Sequence, residues 1–237
     1  MPQLDPQMQE VLDAHKALGP ESIEGLEPKE ARKQPTPADA VMRVLERRGA
    51  ETEPEAVADV DDRKIDHADS NLPLVGKVPI RVYTPIGDGP FPVLLYFHGG
   101  GFVIADLDVY DSSPRALANA ANCIVVSSHY RQAPEDPYPA AHEDAVAAYR
   151  WVLENMEEIG GDGRIAIAGE SAGGNLAAGV THARARRGVA DAAAPTARLS
   201  DRRRRLHQAG FQRARGREAA EHADDGVVRQ ALRAGQS

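Results

Sequence analysis

The chain has 237 residues, 42% of them hydrophobic, which is enough for one domain with a substantial core and a small appended segment. Its charge is uneven: residues 1–181 hold 30 acidic and 15 basic side chains, and residues 182–237 hold 6 and 13. So acidic a body argues against nucleic acid as a partner. The absence of any run of 18 apolar residues excludes a membrane-spanning helix. Met1–Gln7 has neither a basic start nor an apolar run, and Cys123 is the single cysteine, so neither a secretory leader nor a disulfide framework is expected. A cytoplasmic location is the expectation.

Residues 4–18 and 37–48 show helical spacing. Thr36 precedes Pro37 as a cap before a first-turn proline, and Val41, Val44 and Leu45 follow as an apolar stripe. The Pro-, Glu- and Lys-rich stretch between them reads as loop. From 51 to 72 acidic residues dominate, as in an exposed linker or an irregular edge strand. Val78–Tyr83 alternates like a strand, and Pro85 to Pro90 is rich in turn residues. Pro92–Phe97 is a nearly continuous apolar run suited to a strand covered on both faces. A helix opens at Ser112/Ser113-Pro114 and runs through Ala121. Cys123–Ser128 is the next buried strand, which makes Cys123 a packed thiol. Pro139 to Glu158 reads as a long helix, Arg164–Ala168 as a strand and Asn175–Arg186 as a helix. Strands alternating with helices predict an α/β fold with a mostly parallel sheet.

Two motifs carry chemistry. Gly169-Glu170-Ser171-Ala172-Gly173-Gly174 stands between a strand and a helix, the setting in which Gly-x-Ser-x-Gly becomes a nucleophile elbow. His98-Gly99-Gly100-Gly101 follows its own strand, where bare backbone N–H groups can be aimed at an oxyanion. Ser171 is the candidate nucleophile, and Gly99, Gly100 and Ala172 are the candidate oxyanion donors. Ala172 opens a helix, so its N–H belongs to the unpaired first turn. His98 is read as a brace for the glycine turn rather than as a base. Glu170 points away from the nucleophile toward a polar partner. Glu143 and Asp144 fall on a solvated helix face, and His142 is a packing or surface histidine. Asp106, Asp108 and Asp111 lack the glycine turn and terminal Glu of a calcium loop, so no metal and no cofactor is expected.

With Tyr130-Arg131-Gln132-Ala133-Pro134-Glu135 and Tyr138-Pro139-Ala140-Ala141, these motifs resemble the hormone-sensitive-lipase-like, or bacterial type IV, esterases of the α/β-hydrolase superfamily. The resemblance runs from about residue 70 to about residue 188, and residues 1–50 match that family's helical cap. It implies an α/β-hydrolase fold and cleavage of small-molecule carboxylic esters by a serine nucleophile. It also implies the same three oxyanion donors. Acyl length, alcohol group and oligomeric state have no signature in the sequence.

The resemblance divides the chain into a cap segment (1–50), a partial catalytic domain (51–188) and a tail (189–237). On this fold the triad order is Ser, then Asp or Glu, then His, and about 90 residues of further strand–helix units are needed to reach the last two. Only 66 residues follow Ser171. The fold is therefore expected to lack its C-terminal strands. His182 would lie about three turns along the helix after Ser171. Neither His207 nor His222, and none of Asp191, Asp201, Asp224 and Asp225, sits in a strand-like run, so no catalytic acid or His is identified. Residues 198–237 contain Arg202–Arg205 and no Ile, Tyr, Trp or Lys, too little apolar surface to offset ordering entropy. Disorder is expected there, and the composition suits a shifted reading frame, since four arginine codons read one base later permit four aspartates. The rival readings are a ligand-binding protein on a hydrolase scaffold and an inactive fragment.

Overall fold

The structure is a computed structural model and describes residues 4–66 and 77–186. The expected tail and the candidates within it lie outside these residues.

Two N-terminal helices pack on each other through small side chains. α1 (Pro6–Ala17) starts behind Asp5, whose carboxylate accepts from the N–H groups of Gln7 and Met8. α3 (Pro37–Arg48) starts from a capping box in which Thr36 and Asp39 satisfy each other's backbone N–H, and it stops at Gly49 with φ +61°. Ala14, Ala40 and Val44 are buried between them, with Val11 and Leu18 packed alongside. The stretch between, expected as loop, forms a 3-10 turn at Ile23–Gly25 and one turn of helix, α2 (Pro28–Ala31). Pro28 presets the helical φ there, but turns this short have no apolar period to announce them.

Five strands form one sheet: β1 (Asp59–Ile65), β2 (Val78–Thr84), β3 (Phe91–Phe97), β4 (Ile124–Ser128) and β5 (Gly161–Gly169). Their order is β1-β2-β4-β3-β5. β4, β3 and β5 run parallel, while β2 is antiparallel to both β1 and β4. The acidic stretch of the sequence supplies β1 at one edge, where Asp59, Asp61 and Asp62 suit a solvent-facing strand. α4 (Ser112–Ala121) joins β3 to β4, α5 (Ala140–Glu154) joins β4 to β5, and α6 (Ala172–Arg186) follows β5.

Alternation along the strands sorts the core into two layers. Val93, Leu95, Phe97, Ile124 and Val126 pack with Ala145, Val152 and Leu176 of α5 and α6. Tyr83, Tyr96 and Val125 face the other way, against Ala118 of α4 and the buried Cys123. α5 ends four residues earlier than its sequence pattern suggests. Asn155 caps it, turning its side-chain amide onto Trp151 O at 2.8 Å, and Ile159 N–H then closes a turn onto Asn155 O at 3.1 Å.

One expectation on α5 is corrected. Asp144 is buried, not solvated. Its carboxylate accepts the backbone N–H of Arg131 at 2.8 Å and the Arg131 Nε–H at 2.9 Å. A single residue of helix thereby anchors the loop that follows β4.

Candidate active site

β3 is the strand at which the chain changes direction across the sheet, with β4 on one side and β5 on the other. Crevices for ligands form at such switch points, at the carboxyl ends of the strands. Register makes the arrangement specific. Phe97 pairs with Gly169, so the glycine loop that begins at His98 and the elbow that begins at Glu170 leave the sheet side by side. Residues seventy apart in sequence meet at one edge.

Ser171 sits between β5 and α6 with φ +50°, in the left-handed region that a residue bearing a Cβ seldom occupies. Such strain persists only where the surroundings enforce it. Here they do so by close approach. A Cβ on Gly173 would stand 2.0 Å from Phe97 O and 2.6 Å from His98 O, and one on Gly169 would stand 2.4 Å from the Gly173 carbonyl. Both outer positions of the Gly-x-Ser-x-Gly turn are therefore fixed as glycine by backbone on backbone contact. Ser171 is exposed, whereas Ala172, the first residue of α6, is buried. The helix is held to the elbow by Asn175 N–H, which donates to Ser171 O at 3.1 Å.

The glycine loop is a run of left-handed residues: Gly100 at φ +110°, Gly101 at +61° and Phe102 at +65°, with Ala105 at +69° beyond. Gly100 O accepts from the N–H groups of both Val103 and Ile104 at 2.9 Å, which closes the turn. A Cβ at Gly100 would lie 2.1 Å from Ile104 O. The segment after β4 holds the loop from behind. Tyr130 Oη donates to His98 O at 2.9 Å, Ala133 N–H donates to Phe102 O at 2.9 Å, and Gln132 Nε2 donates to Ile104 O and Ala105 O at 3.0 and 2.8 Å. With the carbonyls drawn backward, the Gly100 N–H and the Ala172 N–H have no acceptor among the described residues.

His98 is fully buried, stacks on Tyr130 and lies 2.6 Å from Gly99 O through Nδ1. Burial drives its pKa down to about 4, so the ring is neutral near pH 7. If Nδ1 carries the proton to Gly99 O, Nε2 accepts, and His129 Nδ1 at 3.4 Å is placed to donate to it. Glu170 Oε1 accepts a hydrogen bond from the Tyr110 hydroxyl. Tyr110 is pushed up in pKa first by burial and then by that carboxylate. This pairing has no local signature, because Tyr110 reaches Glu170 only through the turn that follows the glycine loop.

The three aspartates of that turn diverge. Asp106 Oδ1 accepts from the N–H groups of Asp108 and Val109, Asp108 pairs with Arg81 at 2.9 Å, and Asp111 accepts from Tyr83 Oη at 2.8 Å and Arg115 Nε at 2.6 Å. Among the described residues no group of three His, Cys, Asp or Glu could hold a metal ion. His142 is half-buried, stacks on Phe102 and lies 3.0 Å from Asn175 Oδ1. A cavity of about 350 Å³ opens beside the elbow, lined by Phe102, Ala133, Tyr138, Ala141, His142 and Asn175. No helix of the described residues is long and apolar enough to cross a membrane.

A strand-nested serine elbow beside a glycine loop, at the switch point of a mixed sheet flanked by helices, defines the α/β-hydrolase fold. Comparison agrees on the fold: residues 94–208, just under half of the chain, match the family described as alpha/beta hydrolase fold. The match continues past residue 188, where the motif resemblance ends. Esterase LipI of Mycobacterium tuberculosis is 55% identical over 107 residues, 44% of this chain and 33% of that one. Ethyl acetate hydrolase of Pseudomonas putida is 35% identical over 159 residues, 65% of this chain and 46% of that one. A hyperthermophilic esterase from Pyrobaculum calidifontis superposes with a TM-score of 0.62 at 36% identity, covering 78% of this chain and 55% of its own. The matched stretch thus spans less than half of these curated relatives and about half of the solved structure.

Proposed function

We propose that this chain carries the nucleophile and oxyanion machinery of a carboxylic ester hydrolase acting on small-molecule esters. The observation that carries the reading is Ser171 held at φ +50° on an elbow whose neighbour, through the Phe97–Gly169 register, is a loop with its carbonyls tied back. In this mechanism Ser171 Oγ attacks the acyl carbon, its proton passes to a base, and the carbonyl oxygen becomes an oxyanion. Backbone N–H groups of Gly99, Gly100 and Ala172 meet that charge, each typically worth about 3–4 kcal/mol of barrier. His98 braces the loop through Gly99 O and does no proton transfer.

The base and its acid partner are unassigned. Among the described histidines His98 and His129 face each other, His142 is bonded to Asn175, His15 contacts Pro35 O, and His182 lies on α6 about 16 Å of helical rise from Ser171. A preference for small acyl groups is supported by the 350 Å³ cavity beside the elbow and by the name of the Pseudomonas relative. Lipase-like action on longer chains is the less favoured version of the same chemistry. The reading includes work in the cytoplasm, supported by a single, buried thiol.

Reaction with a fluorophosphonate probe tests it, followed by mass spectrometry and by turnover of p-nitrophenyl acetate. Labelling at Ser171, lost in Ser171→Ala, is the expected result. No labelling, with retained binding of an ester analogue, would favour the non-catalytic scaffold instead.

A further inference from the structure

The glycine loop cannot support its own shape. Phe102 and Ala105 hold left-handed φ values without being glycine, so the loop needs restraint from outside. The segment 130–135 supplies part of it. Another part comes from a residue about seventy positions upstream that no motif marks.

Arg32 stands at the C-terminal end of α2, and its guanidinium reaches over the back of the loop. Nε donates to Val103 O at 2.7 Å and Nη2 donates to Ala133 O at 2.9 Å. The Nη1 and Nη2 edge makes a two-pronged contact with the Glu135 carboxylate at 2.9 and 2.8 Å. One planar group thus joins the glycine loop, the segment behind it and the N-terminal helices. Among the described residues neither Val103 O nor Ala133 O has another donor, and Val103 is buried, so water has little access to replace the bond. Contact with Glu135 fixes the fork and holds the Glu135 carboxyl down to about 2. Lys could keep the charge, but its ammonium has no rigid fork to address three acceptors in fixed directions.

We propose that Arg32 is a positioning residue for the oxyanion loop, coupling the docking of the N-terminal helices to the direction in which the Gly100 N–H points. Its consequence for rate rests on the ester-hydrolase reading, while its consequence for the loop does not. Arg32 touches no reacting atom in this scheme.

Two measurements on the full 237-residue chain test it: amide hydrogen exchange of the peptide spanning 99–105, and steady-state hydrolysis of p-nitrophenyl acetate. In Arg32→Ala the Val103 and Ile104 amides, both bonded to Gly100 O, should exchange at least about tenfold faster, with β3 and β4 unchanged. The catalytic rate should fall about ten- to a hundredfold with KM within about twofold, because the displaced donors serve the transition state. Arg32→Lys should restore little of either. Glu135→Gln, which spares the two carbonyl contacts, should give a smaller change and covers the case of an alanine variant that fails to fold. Arg48→Ala, which removes only the Arg48–Glu10 contact between the N-terminal helices, should leave exchange in the loop unchanged. Unchanged loop exchange in both Arg32→Ala and Glu135→Gln would overturn the proposal, as would full rescue by Arg32→Lys. A wild-type chain without ester turnover would count against the hydrolase reading alone, since the exchange measurement still decides the role of Arg32.

Discussion

Gly173→Ala isolates the close approach on which the elbow depends. The added methyl would lie 2.0 Å from Phe97 O and 2.6 Å from His98 O, against an ordinary contact of 3.4 Å or more, so elbow and strand must part by about 1.4 Å. Neither obstacle can step aside cheaply. Both are backbone carbonyls at the end of β3, which is paired on one side with β4 and on the other with β5. Overpacking typically costs about 1–3 kcal/mol, and a rigid pair of obstacles belongs at the top of that range. For a chain of this size about 3 kcal/mol corresponds to a melting temperature lower by roughly 6–12 °C. Reactivity should suffer more than stability, because a shift of about 1 Å between nucleophile and oxyanion donors can cost on the order of a hundredfold in rate. Thermal melts and fluorophosphonate labelling, run beside Gly25→Ala, provide the assay. A Cβ at Gly25 meets nothing within 4 Å, so that variant should be neutral within about 0.5 kcal/mol. A Gly173→Ala protein that melts with the Gly25→Ala control and labels at the wild-type rate would refute the reasoning.

Gly100→Val should lower the catalytic rate on p-nitrophenyl acetate more than it raises KM, since a Cβ there meets Ile104 O at 2.1 Å and φ is +110°; weaker binding with unchanged turnover would mean that the loop holds substrate instead. Asp144→Ala should cost about 3 kcal/mol or more in urea unfolding, because it withdraws the buried partner of the Arg131 backbone and guanidinium; a loss under 1 kcal/mol would show the pair to be dispensable. Stability should also depend on His98. Its folded pKa of about 4 lies below the ordinary histidine value of 6.5, so the unfolded chain takes up this proton first. The contribution is then complete above pH 6.5 and declines as pH falls toward 4, by up to about 3 kcal/mol, with His129, also lowered by burial, acting in the same direction. Unfolding free energies of wild type and His98→Gln across that interval should diverge, and parallel slopes would remove His98 as the source.

Much of the scaffold was legible because its signals are local. The runs at 92–97 and 123–128 fell on the buried strands β3 and β4, Thr36-Pro37 capped α3, and the two glycine motifs became a loop and an elbow, since tight turns and apolar periodicity act over a few residues. Those same motifs named Ser171 as the candidate nucleophile, with Gly99, Gly100 and Ala172 as candidate donors. What the sequence left open depends on distance in the chain. Asp144 lies on a helix face that reads as solvated, and only the packing of the loop after β4 turns that position inward. Tyr110 finds Glu170, and Arg32 finds Val103, Ala133 and Glu135, through contacts that span 60 to 103 residues and leave no periodic trace. Most of all, the pairing of Phe97 with Gly169 is a property of strand order, in which β5 returns to the free side of β3. Local propensity shapes each motif, but register alone sets the nucleophile beside the loop, because hydrogen-bonded strands fix which ends of the chain can meet.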